Sequence, residues 1–150
     1  MQAENGNHGQ NIGAPGFADT IFFRKAYKET LAMVHEACSY IDGPGRRACN
    51  AMEETDSLYY TAETLRLTTR LTQLMAWMFV QRAVQNGEMR PEEAAEERHR
   101  LGARQTCLSS SEPPEGVLPP SLEDLLERSE RLYRRVARLD DLLAGRGEAA

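Results

Sequence analysis

Between Leu58 and Ala83 the chain carries Leu58, Ala62, Leu65, Thr69, Thr72, Ala76, Phe79 and Ala83, apolar or small residues separated by alternating steps of four and three. A strand alternates its faces every second residue and cannot hold that period, so the spacing demands a long helix with a seam for another helix. Leu67, Leu71, Leu74 and Met78 form a second stripe. At about 100° per residue it lies on roughly the opposite side of the same helix. A helix that is apolar on two sides has to be covered on two sides. The other helices of one bundle can cover both, or a second copy of the chain can cover one. Leu67, Leu71, Leu74 and Met78 are therefore a packing seam or a dimer seam.

The rest of the chain supplies the covering helices. Asp19 is placed to cap a first helix with a stripe of Phe23, Tyr27, Leu31, Val34, Cys38 and Ile41, widened by Ala26, Met33 and Ala37. Asp42-Gly43-Pro44-Gly45 stops it. The long second helix is expected to start within Arg46–Met52 and to run to about Gln85, ahead of Asn86-Gly87. Pro91, Glu92 and Glu93 open a short polar helix over about 91–105, whose few apolar residues predict weak packing. Ser121 caps a last helix with a stripe of Leu122, Leu125, Leu126, Ser129, Leu132, Tyr133, Val136, Leu139 and Leu143, ended by Gly145 and Gly147. Between these two helices lies Ser109–Pro120, too rich in Ser and Pro for a helix. It is expected to be a flexible linker and a candidate recognition segment, with Ser109, Glu112, Pro113, Pro114, Pro119 and Pro120 its characteristic residues. Residues 1–16, rich in Asn, Gln and Gly, read as a disordered leader, 17–145 as one helical bundle domain and 146–150 as a tail. The fold class is all-α: an antiparallel, up-down-up bundle of three long helices plus a short polar helix.

Length and charge narrow the function. The 150 residues suit one domain. A net charge of −5 without a basic patch argues against nucleic acid. The densest apolar run, Leu74–Val80, is too short for membrane insertion, and the first residues lack the pattern of a signal peptide. Three cysteines, an odd and widely spaced set, suit reduced thiols in the cytoplasm. His35 and Cys38 could offer two ligands from one helical face, which does not hold zinc, and no nucleophile–base set or phosphate-binding loop occurs. No catalytic, cofactor-binding or metal residue is therefore assigned, and the chain is read as a non-enzyme. Cys38, within the first apolar stripe, is expected to be buried and slow to react, Cys49 and Cys107 to be faster. Leu65, on the long seam, is expected to cost about 2–5 kcal/mol on truncation to alanine. The remaining polar feature is an edge of Glu63, Arg66 and Arg70 with Tyr59 just upstream. It is either a solvated ion-pair ladder or a partner-facing or intersubunit edge.

The segment Ser57–Val84, and within it Ala62-Glu63 followed by Leu65-Arg66-Leu67-Thr68-Thr69-Arg70-Leu71, resembles the RcdA family, regulators of CtrA degradation in alphaproteobacteria. Three further blocks agree in order: Phe23–Leu31, the Tyr40–Gly45 turn, and Leu118-Pro119 followed by Leu122, Leu125, Arg128, Ser129, Leu132 and Tyr133. The resemblance spans about residues 20–143. It implies a homodimeric helical bundle that helps deliver cell-cycle regulators, CtrA-like cargo among them, to the ClpXP protease. It also implies ClpXP-associated adaptors as partners and concentration at a cell pole. A helical scaffold or regulator binding some other protein, with no role in proteolysis, is the competing expectation.

Overall fold

The computed structural model describes residues 20–148. The expected leader, residues 1–16, the proposed Asp19 cap and the last two tail residues lie outside the described residues. Three long helices dominate: α1 (Ile21–Asp42), α3 (Glu54–Gln85) and α6 (Pro120–Glu148). A short α2 (Pro44–Asn50) follows α1, and two more, α4 (Pro91–Ala94) and α5 (Arg104–Leu108), lie between α3 and α6. Thr20 caps α1, its hydroxyl accepting the Phe23 N–H at 3.2 Å. Pro44 at the first turn of α2 suits a position whose N–H would be unbonded anyway. The long helix thus begins only at Glu54, where Glu54 and Asp56 meet its positive end. Gly45 lets α2 pass close to its neighbours: a Cβ there would sit 2.8 Å from Tyr40 Cε1 and 2.9 Å from the Tyr40 carbonyl oxygen.

The expected all-α bundle of three long helices is present, with one departure in helix direction. Glu36 meets Arg128 and Glu29 meets Arg135, so α1 and α6 are antiparallel. Arg82 lies over the Tyr27 ring, while α2, at the other end of α1, packs Gly45 against Tyr40 and Tyr60, so α1 and α3 are antiparallel too. Hence α3 and α6 run parallel, as their own contacts show: Arg70 bonds Ser129 and Trp77 bonds Asp140. Parallel neighbours cannot be joined by a tight turn, so residues 86–119 form a crossover that returns along α3. Gly102 meets Gln73, Cys107 meets Arg70 and Ser111 meets Glu63, in that order back toward the start of α3.

The core corrects two assignments of face. On α1 the buried residues are Phe23, Ala26, Thr30, Met33, Ala37 and Tyr40. Small residues at this face allow close helix approach, and Thr30 satisfies its hydroxyl by donating to the Ala26 carbonyl at 2.7 Å. Tyr27, Val34 and Ile41 are left at the boundary, and Leu31 and Cys38 are exposed. On α3, Leu67, Leu71, Leu74 and Met78, with Trp77, are buried in one core shared with Phe23 and Met33 of α1 and Leu122, Leu125, Leu132 and Val136 of α6. They are packing positions, and Leu71, 4% exposed, also reaches the surface between α1 and α3. The alternating stripe is the outward one: Leu58 is 66%, Leu65 62% and Phe79 55% exposed. Spacing does not distinguish the two stripes; side-chain volume does, because the buried one is all Leu and Met and the outer one is diluted by Ala and Thr.

The cysteine order is reversed accordingly. Cys107 is fully buried beneath Arg70 and Tyr133, and burial pushes its thiol pKa up. With a maleimide on the native protein, Cys38 is expected to react fastest and Cys107 at least about tenfold more slowly than Cys38. Equal rates would mean that α5 does not stay docked.

Candidate functional site

Glu63, Arg66 and Arg70 belong to one polar network, and it faces inward. Arg70 is 2% exposed. Its Nε and one terminal nitrogen donate to the Cys107 carbonyl at 3.0 and 2.6 Å; the other donates to the Leu126 carbonyl and to Ser129 Oγ, both at 2.9 Å. The planar fork of a guanidinium can serve the end of α5 and the side of α6 together, which a lysine cannot. Arg66 donates from Nε to the Thr106 carbonyl at 3.1 Å and pairs with Glu63. Glu63 accepts the Ser111 N–H at 2.9 Å and the Ser111 hydroxyl. Burial alone would raise the Glu63 pKa, but the hydrogen bonds from Ser111 and the Arg66 charge outweigh it and hold the carboxyl below the usual value. This is neither a solvated ladder nor a partner-facing edge. It is a clamp that fastens the crossover to α3. Tyr59, half-buried, stands outside it.

A second clamp holds the crossover a few residues earlier, at Arg100–Arg104, and its residues are not among those singled out in the sequence. Asp140 is 4% exposed and accepts from Trp77 Nε1 at 3.0 Å, Arg100 Nε at 2.8 Å and Arg104 at 2.9 Å. Asp141 takes the outer bonds of the same two arginines at 2.8 and 2.9 Å. Tyr133 donates to the Gly102 carbonyl at 2.6 Å. Segment 91–105 is therefore not one weakly packed helix. It breaks into α4, a single 3-10 turn at Glu97–His99 and a loop that buries Leu101 to 3% exposure before turning left-handed at Ala103. An aspartate at an apolar-stripe position is the signal that could have revealed it, since a carboxylate buried there requires donors from elsewhere.

The candidate linker is anchored as well. Ser111 is held by Glu63 and Leu118 is 7% exposed, so the exposed parts are Ser109-Ser110 and the bend of residues 112–116, in which Pro113 is half-buried. Its positive φ values, 48° at Glu112 and 81° at Gly116, shape an outward loop carrying Pro113 and Pro114. Ser109 is exposed, bonding Thr106; Pro119 is half-buried, and Pro120 opens α6.

What remains open is a surface. Val34, Cys38 and Ile41 of α1 and Thr68, Thr72, Met75, Ala76 and Phe79 of α3 line a shallow groove of about 390 Å³ that carries no charged side chain. Among the described residues no cluster of three or more His, Cys, Asp or Glu could hold a metal, and no helix is long and apolar enough to cross a membrane.

Residues 15–150 match the family described as "Protein of unknown function (DUF1465)". The chain is similar to the crystal structure of RcdA from Caulobacter crescentus CB15, at 38% identity and a TM-score of 0.69, covering 85% of this chain and 94% of that one. No curated protein matches.

Proposed function

We propose, from the premise that the chain belongs to the RcdA-like DUF1465 family, that it is a protein-binding adaptor acting in the cytoplasm without chemistry of its own. Its role is to bring cell-cycle regulators, CtrA-like cargo among them, to the ClpXP protease together with other adaptors, concentrated at a cell pole. The observation that carries this reading is the division of the surface. The polar groups that could serve chemistry are spent on clamping the crossover, while the uncharged α1/α3 groove and the stripe of Leu58, Leu65, Thr72 and Phe79 are left facing out. A contiguous apolar face of this kind marks a protein contact. Small residues alternate with large ones along it, at the period of a helix–helix seam, so a second copy laid on α3 is the proposed occupant and the active species is a homodimer. The loop at 112–116 is proposed to contact cargo.

A reconstituted ClpXP degradation assay with and without the chain tests the role. Degradation of a CtrA-like cargo is expected to accelerate several-fold. Phe79→Glu, at an exposed site, is expected to keep the helical circular dichroism of the folded chain, convert dimer to monomer in sedimentation equilibrium at roughly micromolar concentration, and abolish most of the acceleration. Substituting residues 112–116 by Gly and Ser is expected to preserve the dimer and reduce delivery. Unchanged degradation at saturating chain would favour a scaffold outside proteolysis.

A further inference from the structure

Arg128, Arg131, Arg135 and Arg138 follow one another along α6 at steps of three, four and three, a single helical edge. With Arg134, and Glu29 from α1, they line an open groove of about 610 Å³ between α1 and α6. The chain as a whole is acidic, at −5, so this row is a local reversal of its charge.

Alternate members of the row differ. Arg128 is held by Glu36 at 2.7 Å and Asp124 at 2.8 Å, and Arg135 by Glu29 at 3.3 Å, with its guanidinium 5.7 Å from the Phe22 ring centre. These contacts fasten α6 to α1 and hold the row in place. Arg131 reaches Glu127 only at 3.7 Å, with both side chains at least two-thirds exposed, and Arg138 makes no ion pair among the described residues. Pairs between such exposed groups contribute little and exchange readily for an incoming carboxylate. The antiparallel register that sets Glu36 against Arg128 and Glu29 against Arg135 sets Leu142 level with Phe22. Leu142 is 61% exposed and Ile21, beside Phe22, is 66% exposed. The basic row therefore runs into an apolar end.

We propose that this groove binds an acidic protein segment, its carboxylates laid along Arg131 and Arg138 and an apolar side chain set against Leu142, while Arg134 stays paired with Glu130 at 2.8 Å. The proposal deepens the adaptor role, and rests on it for the partner being a protein. The forks of Arg131 and Arg138, which no close ion pair among the described residues occupies, match the geometry of carboxylates, and Arg is enriched at protein interfaces. From Arg128 to Arg138 the row is about 15 Å long, room for four or five extended residues or a few helical turns. Asp124, Glu127 and Glu130 flank it on the same helix, which opposes a continuous phosphate backbone or an anionic bilayer and favours a short partner with spaced carboxylates.

The test is fluorescence anisotropy on the full chain with a labelled peptide bearing four glutamates spaced three and four apart and a leucine one turn beyond. The same peptide with glutamine for glutamate, a single-stranded oligonucleotide of equal charge and phosphatidylserine vesicles are the comparison probes. The glutamate peptide is expected to bind, and to weaken at least about tenfold with Arg131→Glu plus Arg138→Glu, with the glutamine peptide, and on raising the salt. Both substitutions are exposed, so circular dichroism and melting should be unchanged. Equal binding to the reversed variant, no binding of the glutamate peptide, or tighter binding of the oligonucleotide or the vesicles overturns the proposal. The degradation assay separates it from the adaptor role. Acceleration without peptide binding removes the groove alone, and peptide binding without acceleration leaves the groove and removes delivery.

Discussion

Arg70→Ala is expected to destabilise the protein by about 2–4 kcal/mol, a large effect for a single polar substitution. The guanidinium is 2% exposed and makes four hydrogen bonds that tie α5 and α6 to α3. Its loss leaves the Cys107 carbonyl without the two donors that now satisfy it, inside a site that water does not reach freely. Burial pulls the Arg70 pKa down, yet an arginine stays charged at any pH where the protein folds, so the charge has to be solvated by those carbonyls and by Glu130 and Glu63 at a distance. Arg70→Lys keeps the charge but not the fork, and should be destabilised nearly as much. Urea unfolding measures the loss, and hydrogen exchange should show it first at residues 103–111. A loss under about 1 kcal/mol would mean that the crossover is held by packing alone.

The second large effect separates the two faces of α3. Leu74→Ala is expected to cost about 2–5 kcal/mol, because Leu74 is wholly buried and its removal opens a cavity between α3 and α6. Leu65→Ala, although it interrupts the more regular stripe, should stay within about 0.5 kcal/mol in the monomer, because Leu65 is 62% exposed. Its effect should appear instead as weaker self-association. Chemical denaturation of both variants, at a protein concentration low enough to populate monomer, checks the contrast. Equal costs would place the core on the wrong side of α3.

The two clamps matter for an adaptor because of where they sit. A parallel pair of helices needs a long connection, and a long connection is usually the most mobile part of a small domain. Here Asp140, with Arg100 and Arg104, and then Glu63, Arg66 and Arg70 hold residues 100–111 of it against α6 and α3. The loop at 112–116 projects beyond them. The faces of α1, α3 and α6 proposed for partners are therefore carried on long helices, so binding there does not have to order a loop first.

The sequence by itself determined the helical class, the positions of the long helices to within a few residues, the breaks at Gly43 and Asn86, and the family. Each of these depends on local period or local backbone chemistry: a 3-4 repeat, a cap, a proline, a run of matched residues. Only the tertiary structure decided which stripe of α3 is core, that α1 buries Ala26, Thr30 and Ala37 in place of Leu31 and Cys38, and that α6 runs parallel to α3. It also decided that Glu63, Arg66 and Arg70 face inward. The physical reason is the same in each case. Periodicity shows that a helix has a face but not what lies opposite it, and the environment of a charged side chain depends on donors and acceptors tens of residues away: Cys107 for Arg70, Ser111 for Glu63, Arg100 for Asp140.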